Sequence, residues 1–170
     1  ERGDGKFISD HEIEITHEGT TKTIWGENII ISTGSRPRMI PNITADKKSI
    51  LTSDDIEHIE DFPKSLVIVG AGVIGCEYAT IFSNFGKTKV YLIDRQDRIL
   101  PFEDEDISDL VASNLESKGV TIHHNAQLER MVTIDNEVEY ELSYPDGSRE
   151  VIRVEKALLS IGRVPNIENI

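Results

Sequence analysis

Apolar positions fall along this chain in two regimes. Up to residue 36 they come in short runs: Phe7-Ile8, Ile13 and Ile15 alternating with acids, Thr21 to Trp25, and Ile29 to Ile31, with turn signals at Glu18-Gly19 and Gly26-Glu27. Two-residue periodicity between such breaks predicts an antiparallel meander, its last strand (Ile29 to Ile31) apolar throughout. Thr33-Gly34-Ser35-Arg36-Pro37 ends that strand. Pro41 and the polar stretch Asn42 to Ser49 then lead to Leu51-Thr52-Ser53-Asp54-Asp55, which reads as a helix start. Ser53 or Thr52 is the expected cap of a short helix from Asp54 to Ile59, stopped by Pro63.

From residue 65 the period changes. Leu66 to Val69 is a wholly apolar run, as expected of a parallel strand buried on both faces. Val73 to Phe85 carries Ile74, Tyr78, Ile81, Phe82 and Phe85 at helical spacing, and Gly86 marks its end. Val90 to Ile93 is a second strand. Ile107, Leu110, Val111, Asn114 and Leu115 predict a second helix ending at Gly119, and Val120 to His123 a third strand. Further strands are expected around Leu128 to Ile134, Val138 to Tyr144 and Arg149 to Val154, with a hairpin turn at Pro145-Asp146-Gly147-Ser148, and a last one at Ala157 to Ile161. Strand, helix, strand, helix, strand is the mononucleotide-binding half of a Rossmann fold. The expected class is therefore α/β: a Rossmann-like domain with a parallel sheet and an antiparallel β-meander.

The turn after the first of these parallel strands carries the chemistry. Gly70-Ala71-Gly72-Val73-Ile74-Gly75 has three glycines with separate roles: Gly70 for the tight turn, Gly72 for close backbone approach to a pyrophosphate, Gly75 for close packing of helix on strand. The pyrophosphate would sit on the unpaired N–H groups where the helix begins at Val73. Asp94 follows Gly75 by 19 residues, at the end of the next strand, where a carboxylate accepts from an adenosine ribose.

Composition narrows the partners. Thirty-one acids against 18 Lys and Arg give a net charge of −13, which argues against nucleic acid and anionic membranes. No apolar run reaches the roughly 20 residues of a membrane span, and no signal peptide is visible. One cysteine, Cys76, suits a reducing cytoplasm. Cys76, between Gly75 and Glu77, is expected to be a packed side chain. His123 and His124 alternate across a strand and the acids Glu103 to Asp106 suit a helix start, so no metal site is expected. Trp25 is expected in the core or a domain contact. The sequence begins at Glu1, as expected of a piece of a longer protein.

The segments IIISTGSRP, LVIVGAGVIGCEYATIF, LIDRQDRILPF and LLSIGRVPN together resemble the pyridine nucleotide-disulfide oxidoreductases, flavoproteins that include dihydrolipoamide dehydrogenase and soluble pyridine nucleotide transhydrogenase. The resemblance runs from Phe7 to Asn169. GVIGCEYATIF is most similar to the transhydrogenase type and SIGRVPN to the dehydrogenase type. It implies a division into residues 1–36, the β-meander part of an FAD domain; 37–64, a linker; 65–161, the nucleotide-binding domain; and 162–170, the return to the FAD domain. It also implies FAD contacts at Thr33, Gly34 and Ser35, and a nicotinamide-side position for Gly162. Glu77 matches a carboxylate near the nicotinamide and flavin rings, and Leu128 an apolar contact to adenosine. No redox CxxxxC pair, FAD fingerprint or dimerisation domain is present, so no catalytic residue is assigned, and the parent is expected to be dimeric.

A carboxylate at position 94 favours NAD over NADP, whose 2′-phosphate it repels. Pro101 matches NAD-type relatives, whereas Arg95 matches an NADP-type arginine, so NAD is expected with NADP use open. The function implied is hydride passage between a nicotinamide nucleotide and flavin. The alternative is a stand-alone NAD(H)-binding redox sensor without catalysis.

Overall fold

The computed structural model describes residues 1–168 and 170; Asn169, where the resemblance ends, lies outside the described residues. The chain forms two compact units, Glu1–Arg36 with Val164–Ile170, and Pro37–Arg163.

In the first unit, β1 (Asp4–Ser9), β2 (Glu12–His17) and β3 (Thr20–Trp25) make an antiparallel sheet in chain order, with Phe7 opposite Ile13 and Ile13 opposite Ile24. Ile29 to Ile31 is not the strand expected of it, and Ile30 is 90% exposed. A β-branched run becomes a strand only where a neighbouring edge takes its N–H and C=O groups, and none does so among the described residues. Trp25, expected in the core or a domain contact, is not in the core: it is 68% exposed, with its ring 6.0 Å from that of His11.

A short strand β4 (Ser35–Pro37) leads into the second unit, whose frame is a five-stranded parallel sheet. Its strands are β5 (Ile50–Thr52), β6 (Ser65–Val69), β7 (Lys89–Ile93), β8 (Thr121–His123) and β12 (Lys156–Leu159), in the order β5-β12-β6-β7-β8. Helix α1 (Val73–Asn84) connects β6 to β7, and α2 (Glu105–Ser117) connects β7 to β8. Between β8 and β12 the chain makes the antiparallel meander β9 (Gln127–Ile134), β10 (Glu137–Ser143) and β11 (Arg149–Val154). The last strand, β13, spans Arg163–Pro165.

The edge strand β5 replaces the expected helix start. Leu51 aligns with Leu158 of β12, and all three β5 residues are buried. The Asp55 carboxylate reaches back to accept from both the N–H and the hydroxyl of Thr52, at 3.0 and 2.6 Å. Thr52 is thereby a donor rather than a cap, and only a 3-10 turn, Ile56–His58, follows.

Alternation along the parallel strands builds two cores. Leu66, Ile68, Leu92 and Leu158 pack with Cys76, Ala79 and Phe82 of α1 and Leu115 of α2. Val67, Val69, Ile93 and Leu159 pack with Met131, Val138, Tyr140 and Leu142 of the meander. This explains the continuous apolar runs: every residue of such a strand faces one core or the other, each burial contributing about 1.5 to 3 kcal/mol.

The buried face of α1 is Gly75, Cys76, Ala79, Phe82 and Ser83; of the expected stripe Phe82 is buried and Tyr78 packs against the same core, whereas Ile81 and Phe85 are exposed. Small residues win the sheet side because the helix sits close. A Cβ on Gly75 would stand 1.9 Å from the Gly70 carbonyl oxygen. In α2, likewise, Leu115 is buried while Ile107 and Leu110 are exposed. Asp104 caps it, accepting from the Asp106 N–H at 3.2 Å.

Candidate functional site

The carboxyl ends of β6, β7 and β12 open on a cavity of about 810 Å³. Of the residues nominated from sequence, it brings together Gly70, Gly72, Val73, Ile74, Asp94, Arg95, Leu128 and Gly162. Ala71 and Gly75 are buried just behind it.

Local chemistry fixes the glycine turn. Gly70 has φ +100°, in the region that favours glycine, and a Cβ there would stand 2.8 Å from the Ser160 carbonyl oxygen. The Ser160 hydroxyl contacts the carbonyls of Val69 and Gly70, each at 2.9 Å, which holds the turn against the end of β12. Gly72 differs: it has φ −76° and ψ −171°, and nothing lies within 4 Å of where its Cβ would be. Its lack of a side chain therefore relieves no internal contact. It leaves space on the cavity side.

Gly72 is also the residue before α1. The helix has no side-chain cap and no acid in its first turn. The N–H groups of Val73, Ile74 and Gly75 have no partner within the helix, and its positive end faces the cavity with no acid in its own first turn.

The Asp94 carboxylate is held by backbone donors on both oxygens: Ala71 N–H to Oδ2 at 2.7 Å and Gln96 N–H to Oδ1 at 2.9 Å. Each oxygen keeps a lone pair for a further donor. The Asp94 backbone is tied as well, its N–H donating to His123 and its carbonyl accepting from Ala126.

Glu77 lies apart from this group. It lines a second, more open cleft of about 840 Å³ on the other side of the α1 N-terminus, with Ser53, Asp54 and Arg163; Val73 and Ile74 line both. There the Arg163 guanidinium donates to Asp54 at 2.6 Å and to Ser53 at 3.0 Å. This ion pair holds the Asp54 carboxyl below its ordinary range.

Thr33, Gly34 and Ser35 belong to the smaller unit. The Thr33 hydroxyl donates to the Asn166 carbonyl, the Asn166 amide donates to the Thr33 carbonyl at 3.1 Å, and the Asn166 N–H to the Gly34 carbonyl at 3.0 Å. These bonds tie the Thr33 hydroxyl and the Thr33 and Gly34 carbonyls to Asn166.

Cys76 is buried, its sulfur 3.5 Å from the Ala71 carbonyl, and burial assisted by the Asp94 charge pushes the thiol up to about 12. His123 Nδ1 pairs with the Tyr144 hydroxyl at 2.7 Å, and burial lowers the imidazole pKa.

Sequence reasoning missed several residues that line the first cavity, chiefly Arg38, Met39 and Ile40 from the segment before β5, and Gln96 and Phe102 after β7. The first three lie outside any motif. Phe102, an apolar residue beside the acids that open α2, carried a signal: it serves neither helix face nor strand.

A parallel sheet with a glycine turn into an uncapped helix and an acid at the end of the next strand defines a Rossmann-like α/β nucleotide-domain architecture. The whole chain, residues 1–170, matches the family model described as pyridine nucleotide-disulphide oxidoreductase, and the chain belongs to that family. A dihydrolipoyl dehydrogenase from Bacillus subtilis is 42% identical over 146 residues, 85% of this chain and 30% of the relative. A soluble pyridine nucleotide transhydrogenase from Azotobacter vinelandii is 38% identical over 169 residues, 99% of this chain and 35% of the relative. Among solved structures, the HOCl-induced flavoprotein disulfide reductase RclA from Escherichia coli, as its Cu(II) complex, aligns with TM-score 0.79 at 30% identity, over 98% of this chain and 37% of that one. LpdA from Mycobacterium tuberculosis aligns with TM-score 0.83 at 28% identity, over the same shares. The chain thus spans about a third of the length of these relatives. Both the dehydrogenase and the transhydrogenase types named from sequence are found among them.

Proposed function

We propose that the Pro37–Arg163 unit binds a nicotinamide dinucleotide, NAD(H) in preference to NADP(H), within an FAD-dependent oxidoreductase. The observation that carries this reading is the uncapped start of α1 facing open space at Gly72. Val73, Ile74 and Gly75 offer N–H donors to pyrophosphate oxygens, and the helix dipole favours the negative charge. Asp94, oriented by its two backbone donors, has lone pairs left for a ribose hydroxyl and would repel a 2′-phosphate. Leu128 supplies apolar surface in the same cavity.

Since Val73 and Ile74 line both clefts, a dinucleotide with its pyrophosphate over them has its adenosine half in the first cavity and its nicotinamide half toward the second, where Glu77 lies. When bound, the nicotinamide supplies hydride transfer to or from flavin. This chain binds and orients it, and the FAD domain and a second copy of the protein complete the enzyme, as the family resemblance implies. Thr33, Gly34 and Ser35 touch FAD only as part of that larger site. Isothermal titration with NADH and NADPH tests the reading. NADH should bind more tightly; equal affinities would overturn the selectivity, and binding of neither would overturn the site.

A further inference from the structure

Phe102 is 98% exposed, and it lines the same cavity as Gly72, Asp94 and Leu128. An aromatic ring left almost wholly in water contributes little to folding, so its place calls for another account. The loop that carries it is fixed. Ile99 is fully buried, the Leu100 N–H donates to the Ala71 carbonyl at 2.8 Å, and the buried Ser108 hydroxyl donates to the Leu100 carbonyl at 3.1 Å. Leu100 sits at φ +48°, a conformation that a residue with a Cβ adopts only under constraint. Glu103 N–H closes the turn onto the same Leu100 carbonyl at 3.0 Å.

Ala71 joins two functions. Its N–H goes to the Asp94 carboxylate and its C=O receives the Leu100 N–H. One fully buried residue of the glycine turn thus sets the distance between a ribose acceptor and the loop bearing an exposed aromatic. Phe102 follows Leu100 by two residues, a reach of at most about 7 Å of chain.

We propose that Phe102 is the stacking platform for the adenine ring of the bound dinucleotide, on a loop pinned to the glycine turn through Leu100 and Ala71. The inference rests on the dinucleotide reading above and deepens it. An aromatic face takes a base without hydrogen-bond readout, and the ring needs no rearrangement to become available.

The test is titration of the protein with NADH, ADP-ribose and nicotinamide mononucleotide, for the wild type and for Phe102→Ala, Phe102→Leu and Phe102→Tyr. Stacking predicts that Phe102→Ala and Phe102→Leu each weaken NADH and ADP-ribose by about 5- to 150-fold, the equivalent of the roughly 1 to 3 kcal/mol that one aromatic–base stack contributes. Phe102→Tyr retains affinity, and the mononucleotide, which has no adenine, is unaffected by any variant. Wild-type affinity in Phe102→Ala, or retention in Phe102→Leu, overturns the stacking role while leaving the dinucleotide site standing. Failure of the wild type to bind ADP-ribose or NADH removes the site and the proposal together.

Discussion

Gly75 and Gly72 lie three residues apart in one turn, yet the structure assigns them opposite sensitivities. A methyl group on Gly75 would stand 1.9 Å from the Gly70 carbonyl oxygen and 3.0 Å from the Ser160 hydroxyl. Neither neighbour can swing away: the first is backbone, and the second is bonded to the Val69 and Gly70 carbonyls. Helix and strand must separate by about 1.5 Å to restore an ordinary carbon–oxygen contact, at the upper end of the roughly 1 to 3 kcal/mol that overpacking costs. Alanine returns about 1 kcal/mol of helix propensity. The net expectation for Gly75→Ala is destabilisation by about 2 kcal/mol, or a fall in the larger unit's Tm of roughly 4 to 8 °C for a chain of this size. Gly72→Ala meets nothing and has a φ that alanine adopts freely, so it should leave Tm unchanged or raise it slightly, by restricting the unfolded chain. Thermal unfolding followed by circular dichroism reads both. A Gly75→Ala protein as stable as the wild type would refute the close-packing argument.

Asp94→Ala should weaken NADH and narrow its advantage over NADPH, and it should also loosen the glycine turn by removing the acceptor of the Ala71 N–H; titration with both nucleotides measures the two effects, and an unchanged NADH-to-NADPH ratio would contradict the ribose role. His123 is held neutral by burial, with its pKa below the ordinary 6.5. Its contribution to stability is therefore complete above 6.5 and is lost as pH falls from there through the lowered folded value, since the unfolded chain takes the proton first. His123→Gln should flatten that part of a urea-unfolding pH profile; a slope equal to the wild type's would count against the assignment. Cys76, buried and with its thiol pushed up to about 12, should resist maleimide in the native protein and react only on unfolding. Fast native labelling would contradict its packed position.

The parallel core was legible because each of its strands is buried on both faces, leaving unbroken runs such as Leu66 to Val69 bounded by glycine. The glycine turn was legible in part because Gly70 and Gly75 each answer a distinct steric demand of the fold, a positive φ at the first and close helix packing at the second. Ile29 to Ile31 misled because β-propensity does not report whether a partner edge exists. Ile50 to Thr52 was missed because a three-residue edge strand has no period, and its parallel partner, β12, lies more than 100 residues away in sequence. The stripe on α1 was right at Phe82 and wrong at Ile81 and Phe85, because size alone favoured the large residues whereas the close approach of helix to sheet also selects Gly75, Cys76 and Ala79. Arg38, Met39 and Ile40 reach the cavity only through the fold, with no local pattern to announce them.

On the proposed reading the Gly70 to Gly75 turn holds the pyrophosphate of a nicotinamide dinucleotide. Isothermal titration of NADH into the wild type and into Gly72→Val, with circular dichroism confirming that the variant is folded, tests it most directly. The two valine methyl groups would occupy the open space beside the first N–H groups of α1, so affinity should fall at least 10-fold while the fold persists. A folded Gly72→Val protein that binds NADH as the wild type does would show that the pyrophosphate does not lie there.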